Sequence, residues 1–256
     1  MTLRRRVSRY YVATGSGPVD RIKIDCVFGA LKAAYWVAGI RRGGGPADLA
    51  VPSVASDNFR ILFCGIPKVA SRSISTMLFG SPAIAAFPVH RHLAMLAAEG
   101  GPYRSHFKFS FVRNPWSRIA SCYCDKILIL QSTGVGKLSI MAKHPGLFPG
   151  MAFDAFVDWL CSAGGDQCAD RHWMSQHKFV SDDNGRVVCD FVGKLENMES
   201  DFKTVRDATN LPPLTLPHSH RSRCLQLDYR DLYNDRTRTL IGRRYELDVD
   251  TFKYVF

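Results

Sequence analysis

The chain has 256 residues, of which 46% are hydrophobic, enough for one sizeable core but too few for two comfortable domains. Lys and Arg outnumber Asp and Glu by 34 to 23, and the formal net charge of +11 favours anionic partners: a nucleotide, a nucleic acid, an acidic glycan or a membrane surface. The eight cysteines include no C-x-x-C pair, which excludes a zinc ribbon and a thioredoxin-like motif.

The N-terminal part differs in composition from the rest, and we predict a basic and apolar arm with a linker at 1–54, followed by the main domain at 55–256. An Arg-rich start precedes an apolar run at 26–40, which contains Lys32 and is shorter than the roughly 20 residues that span a bilayer. A buried or surface-docked helix is the main interpretation. The alternative is an interfacial helix or weak signal anchor, with weak membrane contact through residues 24–40.

From residue 58 onward, predicted strands alternate with predicted helices. This alternation predicts an α/β fold, a three-layer P-loop-like domain with a central, mostly parallel sheet. Ligands of such sheets bind at the carboxyl ends of the strands. The predicted strands are 61–64, 108–112 and 187–192, and the predicted helices lie near 71–80, 91–99, 115–130, 153–162, 196–208 and 234–247.

A run of small and hydroxylated residues within Phe63–Ser75 follows the first of these strands. Gly65 and Pro67 indicate a turn, after which apolar residues recur at helical spacing. A strand, a tight turn and a helix N-terminus form an anion site, because the first amides of a helix lack helical partners and the helix dipole is positive there. Lys68 and Arg72 add positive charge. An ordinary strand–turn–helix with exposed polar residues is the alternative.

The segment Lys108–Ile127 repeats this architecture. Its strand ends at Val112, Arg-Asn-Pro-Trp forms a turn, and the next helix begins near Pro115, where a missing amide costs nothing. Arg113 at the strand end, with Ser121 on the helix that follows, suits a phosphate because a guanidinium can donate two parallel hydrogen bonds. A structural ion pair is the alternative for Arg113.

These two segments contain PKVASRS and FVRNPWSRIASCY, and three later stretches follow them: RHWMSQHKFV, DFVGKLENMESDF and the closing DYRDLYNDRTRTLIGRRYELDVDTFKYVF. In this order they resemble the Golgi-type and bacterial carbohydrate sulfotransferases (sulfotransferase family 2), which use 3′-phosphoadenosine 5′-phosphosulfate (PAPS). The resemblance covers about residues 58–256. It implies transfer of a sulfuryl group from PAPS to a hydroxyl of a carbohydrate or of another acceptor, acidic acceptors included, with no metal and no nucleic-acid partner.

The resemblance also implies which residues bind the donor. In the family, the first motif surrounds the 5′-phosphosulfate and the second binds the 3′-phosphate. Arg72 departs from the small residue or threonine expected at its position, so its alternative is to point to solvent. The residues assigned are Lys68, Ser71, Arg72 and Ser73 for the phosphosulfate, Arg113 and Ser121 for the 3′-phosphate, and Ser222 in a later cofactor-contacting segment.

The reaction also needs a group that takes the proton of the acceptor. Some relatives place histidines between the two motifs, which makes His92 our first choice and His90 the second; a pair of surface histidines is the alternative. Lys68 would meet the charge that develops on the departing oxygen. Glu196 is a carboxylate alternative for the base but is interpreted as structural. Four other histidines are interpreted as structural or as lying on the acceptor side: His172, His177, His218 and His220.

Two other classes of protein are weighed against a sulfotransferase. A nucleotide kinase would have G-x-x-x-x-G-K-[ST], and the GIPKVASRS loop has neither that glycine spacing nor the Lys-Ser/Thr pair. A basic module that binds nucleic acid or other anions would use the net charge, but no recognised binding signature is visible. The expected location is cytoplasmic for a bacterial protein, and membrane-associated or in the Golgi lumen for a eukaryotic one.

Overall fold

A computed structural model describes residues 53–79, 101, 103–128, 135–212 and 228–256 of the chain. Most of the predicted arm, the predicted helix at 91–99, and the predicted site residues His90, His92 and Ser222 lie outside the described residues. Within the described ranges, no helix is both long and apolar enough to cross a membrane.

The described residues form one sheet of four strands: β1 at Ser53–Ser56, β2 at Ile61–Cys64, β3 at Phe107–Val112 and β4 at Phe191–Lys194. The strand order follows the chain; β1 is antiparallel to β2, whereas β2, β3 and β4 are parallel. The predicted α/β fold with a mostly parallel sheet is therefore confirmed. The carboxyl ends of β2, β3 and β4 lie at one edge, where such sheets bind ligands.

Helices connect these strands and cover them. The helix that follows β3 continues beyond its last α-helical residue as a π-helical turn at Tyr123–Ile127. The α-helices are α1 Ser71–Phe79, α2 Pro115–Cys122, α3 Val135–Lys143, α4 Phe153–Ser162, α5 His177–Val180, α6 Met198–Ala208, α7 Asp235–Arg244 and α8 Glu246–Phe252.

Both faces of the sheet are buried, because alternate residues of the central strands point in opposite directions. Each face has its own apolar cluster, and helices supply the other half of each cluster. One cluster contains Ile61, Phe63, Phe109 and Phe111 with Ile74 of α1 and Phe202 of α6. The other contains Leu62, Cys64 and Val112 with Ile119 of α2 and Phe156 of α4.

Two predicted elements differ from the observed ones. The strand predicted at 187–192 begins instead at Phe191, because Val187 forms an antiparallel bridge with Ser181 outside the main sheet. The helix predicted at 234–247 is interrupted at Tyr245, whose buried hydroxyl donates to the main-chain oxygen of Trp173 at 2.5 Å. The first boundary coincides with a bridge between residues only six positions apart, and the second with a contact from a distant part of the chain.

Gly193 of β4 provides a test of this packing. A Cβ atom added there would lie 2.5 Å from Cε1 of Phe111 and 3.1 Å from Cβ of Asp201. We expect Gly193→Ala to lower the free energy of unfolding by about 1–3 kcal/mol, since overpacking forces neighbours out of their preferred positions. Urea denaturation measures the change. An unaltered midpoint would show that Gly193 does not pack this closely against Phe111 and Asp201.

Candidate anion-binding site at the carboxyl edge of the sheet

Lys68 and Arg113 lie together at this edge. Lys68 is in the loop between β2 and α1, and Arg113 directly follows β3. The Nη1 atom of Arg113 donates to the main-chain oxygen of Lys68 at 3.3 Å. The two residues predicted to share one rim of the sheet are therefore in contact, through the guanidinium of Arg113 and the backbone of Lys68, each beyond the end of one of two adjacent parallel strands.

The loop that carries Lys68 has an unusual backbone. Lys68 and Ala70 both have positive φ angles, 73° and 55°, although neither is glycine. Such a conformation costs on the order of 1–3 kcal/mol per residue and persists only where surrounding contacts impose it. One such contact is Arg118, a buried residue of α2 whose Nε donates to the main-chain oxygen of Pro67 at 3.1 Å. This hydrogen bond from α2 thus helps to hold the loop in one conformation.

The ammonium group of Lys68 sits in a partly desolvated cluster of charges. Its Nζ lies 3.0 Å from Oδ2 of Asp125, and Nζ of Lys126 lies 3.2 Å from the same oxygen. Burial lowers the pKa of Lys68, whereas the charge of Asp125 raises it. Because two ammonium groups share one carboxylate, the cluster keeps an excess of positive charge, and Coulomb attraction to an anion is stronger where water is excluded.

Arg113 is fixed at both its backbone and its side chain. Its Nε donates to Oγ of Ser117 at 2.9 Å, its main-chain N–H donates to Oε1 of Gln176 at 2.8 Å, and its main-chain oxygen accepts from Nε2 of Gln176 at 2.7 Å. Burial lowers the pKa of Arg113, and the charge of Glu196 raises it. The guanidinium bonds named here go to neutral oxygens, and Arg113 forms no ion pair with the residues that the structure describes.

The Arg-Asn-Pro-Trp turn and the segment after β4 meet at this edge. Asn114 caps the first turn of α2 with its side-chain oxygen, and its Nδ2 donates to the main-chain oxygen of Val255 at 2.7 Å. The main-chain N–H of Asn114 donates to Oε1 of Glu196 at 2.7 Å, and Oε2 of Glu196 accepts from the hydroxyl of Tyr254 at 3.0 Å. These two hydrogen bonds agree with the structural interpretation of Glu196.

The other predicted donor residues have different surroundings. Ser71 and Ser73 are buried in the first turn of α1, whereas Arg72 between them is exposed. Ser121 is buried on α2, one turn beyond Ser117 and on the same side of the helix. The buried Oγ of Ser75 makes no hydrogen bond to the described part of the chain. Serine hydroxyls and free first-turn amides are suitable donors to phosphate or sulfonate oxygens.

Sequence reasoning missed several residues that shape this site. Ser117 could have been found, because it follows Arg113 by four residues and so lies on the same side of the predicted helix. Asp125 contacts Lys68 from a π-helical turn, a departure from α-helical geometry that no local pattern indicated. Gln176 reaches Arg113 from a loop far away in the chain; it lies in the RHWMSQHKFV stretch of the resemblance, but no local pattern indicated its contact with Arg113.

The clamp formed by Gln176 leads to a prediction about stability. Gln176 is fully buried, and its main-chain N–H donates to Oδ2 of Asp248 at 2.8 Å. We expect Gln176→Ala to lower the free energy of unfolding by about 2–5 kcal/mol, since it removes two hydrogen bonds and leaves both main-chain groups of Arg113 unpaired. Urea denaturation checks this, with the exposed Glu199→Ala as a surface control. Equal unfolding midpoints for the two variants would contradict the clamp.

Comparisons with known proteins define the class to which the chain belongs. The profile of the sulfotransferase family matches residues 52–255. That match covers most of the chain, so the protein belongs to the sulfotransferase family.

Two similar proteins are carbohydrate sulfotransferase 14 from Homo sapiens, 29% identical, and carbohydrate sulfotransferase 14 from Mus musculus, 28% identical. Each alignment covers 62% of this chain and 47% of the relative, so the chain spans about half the length of these relatives. No solved structure gives a significant match to the chain.

Proposed function

We propose that the protein transfers a sulfuryl group from PAPS to a hydroxyl group of a carbohydrate. The observation that supports this most strongly is the contact between Lys68 and Arg113 at the carboxyl ends of adjacent parallel strands. A donor with two anionic ends, a phosphosulfate and a 3′-phosphate, would engage two separate cations on one rim. Membership of the sulfotransferase family and the names of the two relatives support the same conclusion.

We further propose that the domain predicted at 55–256 is a three-layer, P-loop-like fold, with the segment predicted at 1–54 as an arm and linker. β1 extends the domain by two residues, to Ser53. Burial of both sheet faces by helices supports the three layers. The passage from β2 through the strained loop into α1 supports the P-loop-like description, because it directs the first amides of a helix towards the strand end.

The proposed donor site divides between the two strand ends. Lys68, Ser71 and Ser73 would bind the 5′-phosphosulfate, where the loop backbone, the helix N-terminus and two buried hydroxyls come together. Arg113 and Ser121 would bind the 3′-phosphate. In the proposed site Arg72 and Ser222 make further contacts to the donor, Arg72 from an exposed position.

Sulfuryl transfer is an in-line displacement, and these residues could stabilise it electrostatically. The acceptor oxygen forms a bond to sulfur while the bond between sulfur and the bridging phosphate oxygen breaks. The electron pair of the broken bond stays on the departing nucleotide, 3′-phosphoadenosine 5′-phosphate (PAP), where the ammonium of Lys68 would meet the new charge. The proton of the acceptor hydroxyl passes to a base.

His92, and then His90, are the bases proposed from the sequence. Neutral imidazole suits the role because its ordinary pKa lies near physiological pH. We expect His92→Ala to lower turnover while the affinity for PAP is retained, and His90→Ala to have the smaller effect. Rates and PAP affinities of the two single variants check this assignment, and full activity of His92→Ala would contradict it.

The acceptor is proposed to be an acidic glycan, since the net charge of +11 favours anionic partners. Weak membrane contact through residues 24–40 is proposed as well, because an apolar run with basic flanks can lie in a membrane interface. The two relatives named above are eukaryotic, which favours a Golgi-lumen location over a cytoplasmic one.

Ligand-dependent thermal stability tests the function against its two rivals. A ligand that binds only the folded state raises the melting temperature. We expect PAP without magnesium to stabilise the protein and ATP with magnesium to have little effect. Stabilisation by ATP with magnesium alone would favour a kinase-like enzyme, and stabilisation by neither would favour a module that binds other anions.

A further inference from the structure

Asp170 and His172 form a side-chain pair next to the proposed donor loop. Nδ1 of His172 lies 2.5 Å from Oδ1 of Asp170, and the main-chain N–H of His172 donates to the same oxygen at 2.9 Å. Burial alone would raise the pKa of Asp170, but the hydrogen bond and charge of His172 lower it to about 2. The carboxylate is therefore ionised at neutral pH and accepts the Nδ1 proton, which leaves a lone pair on Nε2.

The Nε2 atom of His172 makes no hydrogen bond to any residue that the structure describes, and the side chain is 13% exposed. The other described histidines are engaged elsewhere. His177 contacts the hydroxyl of Ser181 through Nε2, and His106 contacts Asp57 at the opposite end of the sheet. The ring of His144 packs against two tryptophans. Within the described ranges, His172 therefore has an oriented imidazole with an unused acceptor atom.

Arg118 joins the segment that contains His172 to the donor loop. The buried guanidinium donates to the main-chain oxygens of Pro67, Met174 and Arg171 at 3.1, 2.7 and 3.2 Å. Lys126 connects the same two regions, because it shares Asp125 with Lys68 and its charge acts on His172. His172 thus lies on the side of Lys68, where the sulfuryl group of the donor would be, and the acceptor must approach that group.

The turn at 170–174 does not depend on the imidazole for its shape. The main-chain oxygen of Asp170 accepts from the main-chain N–H groups of Trp173 and Met174, both at 2.9 Å. Arg118 holds two further carbonyls of the same turn. A purely structural role for the imidazole would therefore add little to a turn that is already fixed, and substitution of His172 should leave the fold intact.

We infer that His172 binds the acceptor substrate, with Nε2 accepting a hydrogen bond from a hydroxyl group of the glycan and Asp170 as the positioning residue. The inference rests on the proposed function and extends it from the donor to the acceptor. It gives His172 a role in binding and leaves proton removal to a separate base. A sugar hydroxyl suits the site because it donates to a neutral imidazole nitrogen, whereas a carboxylate or sulfate group cannot.

The binding should depend on pH in a defined direction. Burial lowers the pKa of His172, the nearby charges of Lys126 and Arg171 lower it further, and Asp170 opposes them. A lowered pKa keeps the imidazole neutral down to a pH below its ordinary value of about 6.5. Protonation then converts Nε2 from an acceptor into a donor, so the KM for the acceptor should rise as the pH falls through that lowered pKa.

Steady-state kinetics of three variants test the inference, with the best acceptor among chondroitin, heparosan and lactose as the probe. His172→Ala should raise the acceptor KM about 10-fold, the worth of one hydrogen bond, with kcat and PAP affinity nearly unchanged. His172→Gln can still accept a hydrogen bond but does not titrate, so its KM should be closer to wild type and independent of pH. Asp170→Asn should resemble His172→Ala.

Two kinetic results would overturn the inference. An unchanged acceptor KM in His172→Ala would remove His172 from the acceptor site, and a fall in kcat in both His172 variants with KM retained would make it a base instead. The ¹⁵N resonance of His172 Nε2, recorded on the whole chain, tests the inference without turnover. Binding of the acceptor should shift this resonance. If the wild-type protein binds PAP but sulfates no glycan of the panel, the proposed carbohydrate acceptor is wrong. In that case the inference, which rests on that acceptor, is wrong as well, whereas a ¹⁵N resonance left unshifted by a glycan that the protein does sulfate would refute the inference alone.

Discussion

Lys68→Ala is expected to lower kcat by about 10²–10³-fold, the usual cost of removing one preorganised charge or donor from a developing anion. The effect falls on kcat because the charge on the bridging oxygen grows in the transition state, so this interaction is stronger there than in the ground state. The side chain of Lys68 is 12% exposed, and burial makes the attraction of its ammonium to that charge stronger than it would be in water. Affinity for PAP should change only a few-fold. Single-turnover kinetics with PAP titrations separate these two quantities.

Lys126→Ala is the matched control for Lys68→Ala. The ammonium of Lys126 contacts the same oxygen of Asp125, and its side chain is equally buried, at 12% exposure. Lys126 belongs to the π-helical turn, however, and not to the donor loop. We expect the kcat of Lys126→Ala to fall less than about 10-fold, since Lys126 adds to the positive charge of the cluster but does not meet the departing oxygen. Equal losses in the two variants would mean that turnover depends on the total charge of the cluster, and would contradict a specific role for Lys68.

Arg113→Ala is expected to weaken binding of PAP by about 10–100-fold, which corresponds to the roughly 1.5–3 kcal/mol of a hydrogen bond to a charged group. The 3′-phosphate carries the same charge in the ground and transition states, so the loss should appear in affinity and less in kcat. The loss should be specific to the 3′-phosphate, with 5′-AMP bound almost equally by both proteins. Isothermal titration with PAP and 5′-AMP measures this difference.

Arg186→Ala controls for the general loss of a positive charge, since its side chain is 83% exposed and pairs with Asp182. It should bind PAP like the wild type at moderate salt, because salt screens the charge of a solvent-exposed side chain. If Arg113→Ala lost PAP and 5′-AMP equally, Arg113 would be supporting the shape of the donor loop through its bond to Lys68 and not binding the 3′-phosphate.

The positions of Lys68 and Arg113 could be predicted because each follows a short apolar strand and precedes a helix, and both signals are local. The parallel pairing of the two strands then places their ends side by side. The position of β4 could not be predicted as reliably. Its register depends on Gly193 meeting the ring of Phe111, a fit between residues far apart in the chain. The apolar character of 187–192 alone predicted a strand that begins four residues before the observed one.

The supports of the site were beyond sequence reasoning for the same reason. Gln176, Asp125 and Arg118 act on the loop and on Arg113 through contacts that only the folded chain creates. Two stretches of the resemblance nevertheless lie in contact at the strand ends. Its Arg-Asn-Pro-Trp stretch and its Phe-Val-Gly-Lys-Leu-Glu-Asn stretch are joined by the bond from Asn114 to Glu196. The two motifs therefore belong to one structural unit at the strand ends.

Transfer of ³⁵S from labelled PAPS is the most direct test of the central claim, that Lys68 and Arg113 form the donor site of a sulfotransferase. The experiment would incubate three proteins, the wild type, Lys68→Ala and Arg113→Ala, with chondroitin, heparosan and lactose in the presence of EDTA. The radioactivity of the labelled product would then be counted. We expect label on a glycan with wild-type protein and a rate about 10²–10³-fold lower with Lys68→Ala at any PAPS concentration. The rate of Arg113→Ala should recover at high PAPS concentration. Equal transfer by all three proteins would contradict the claim.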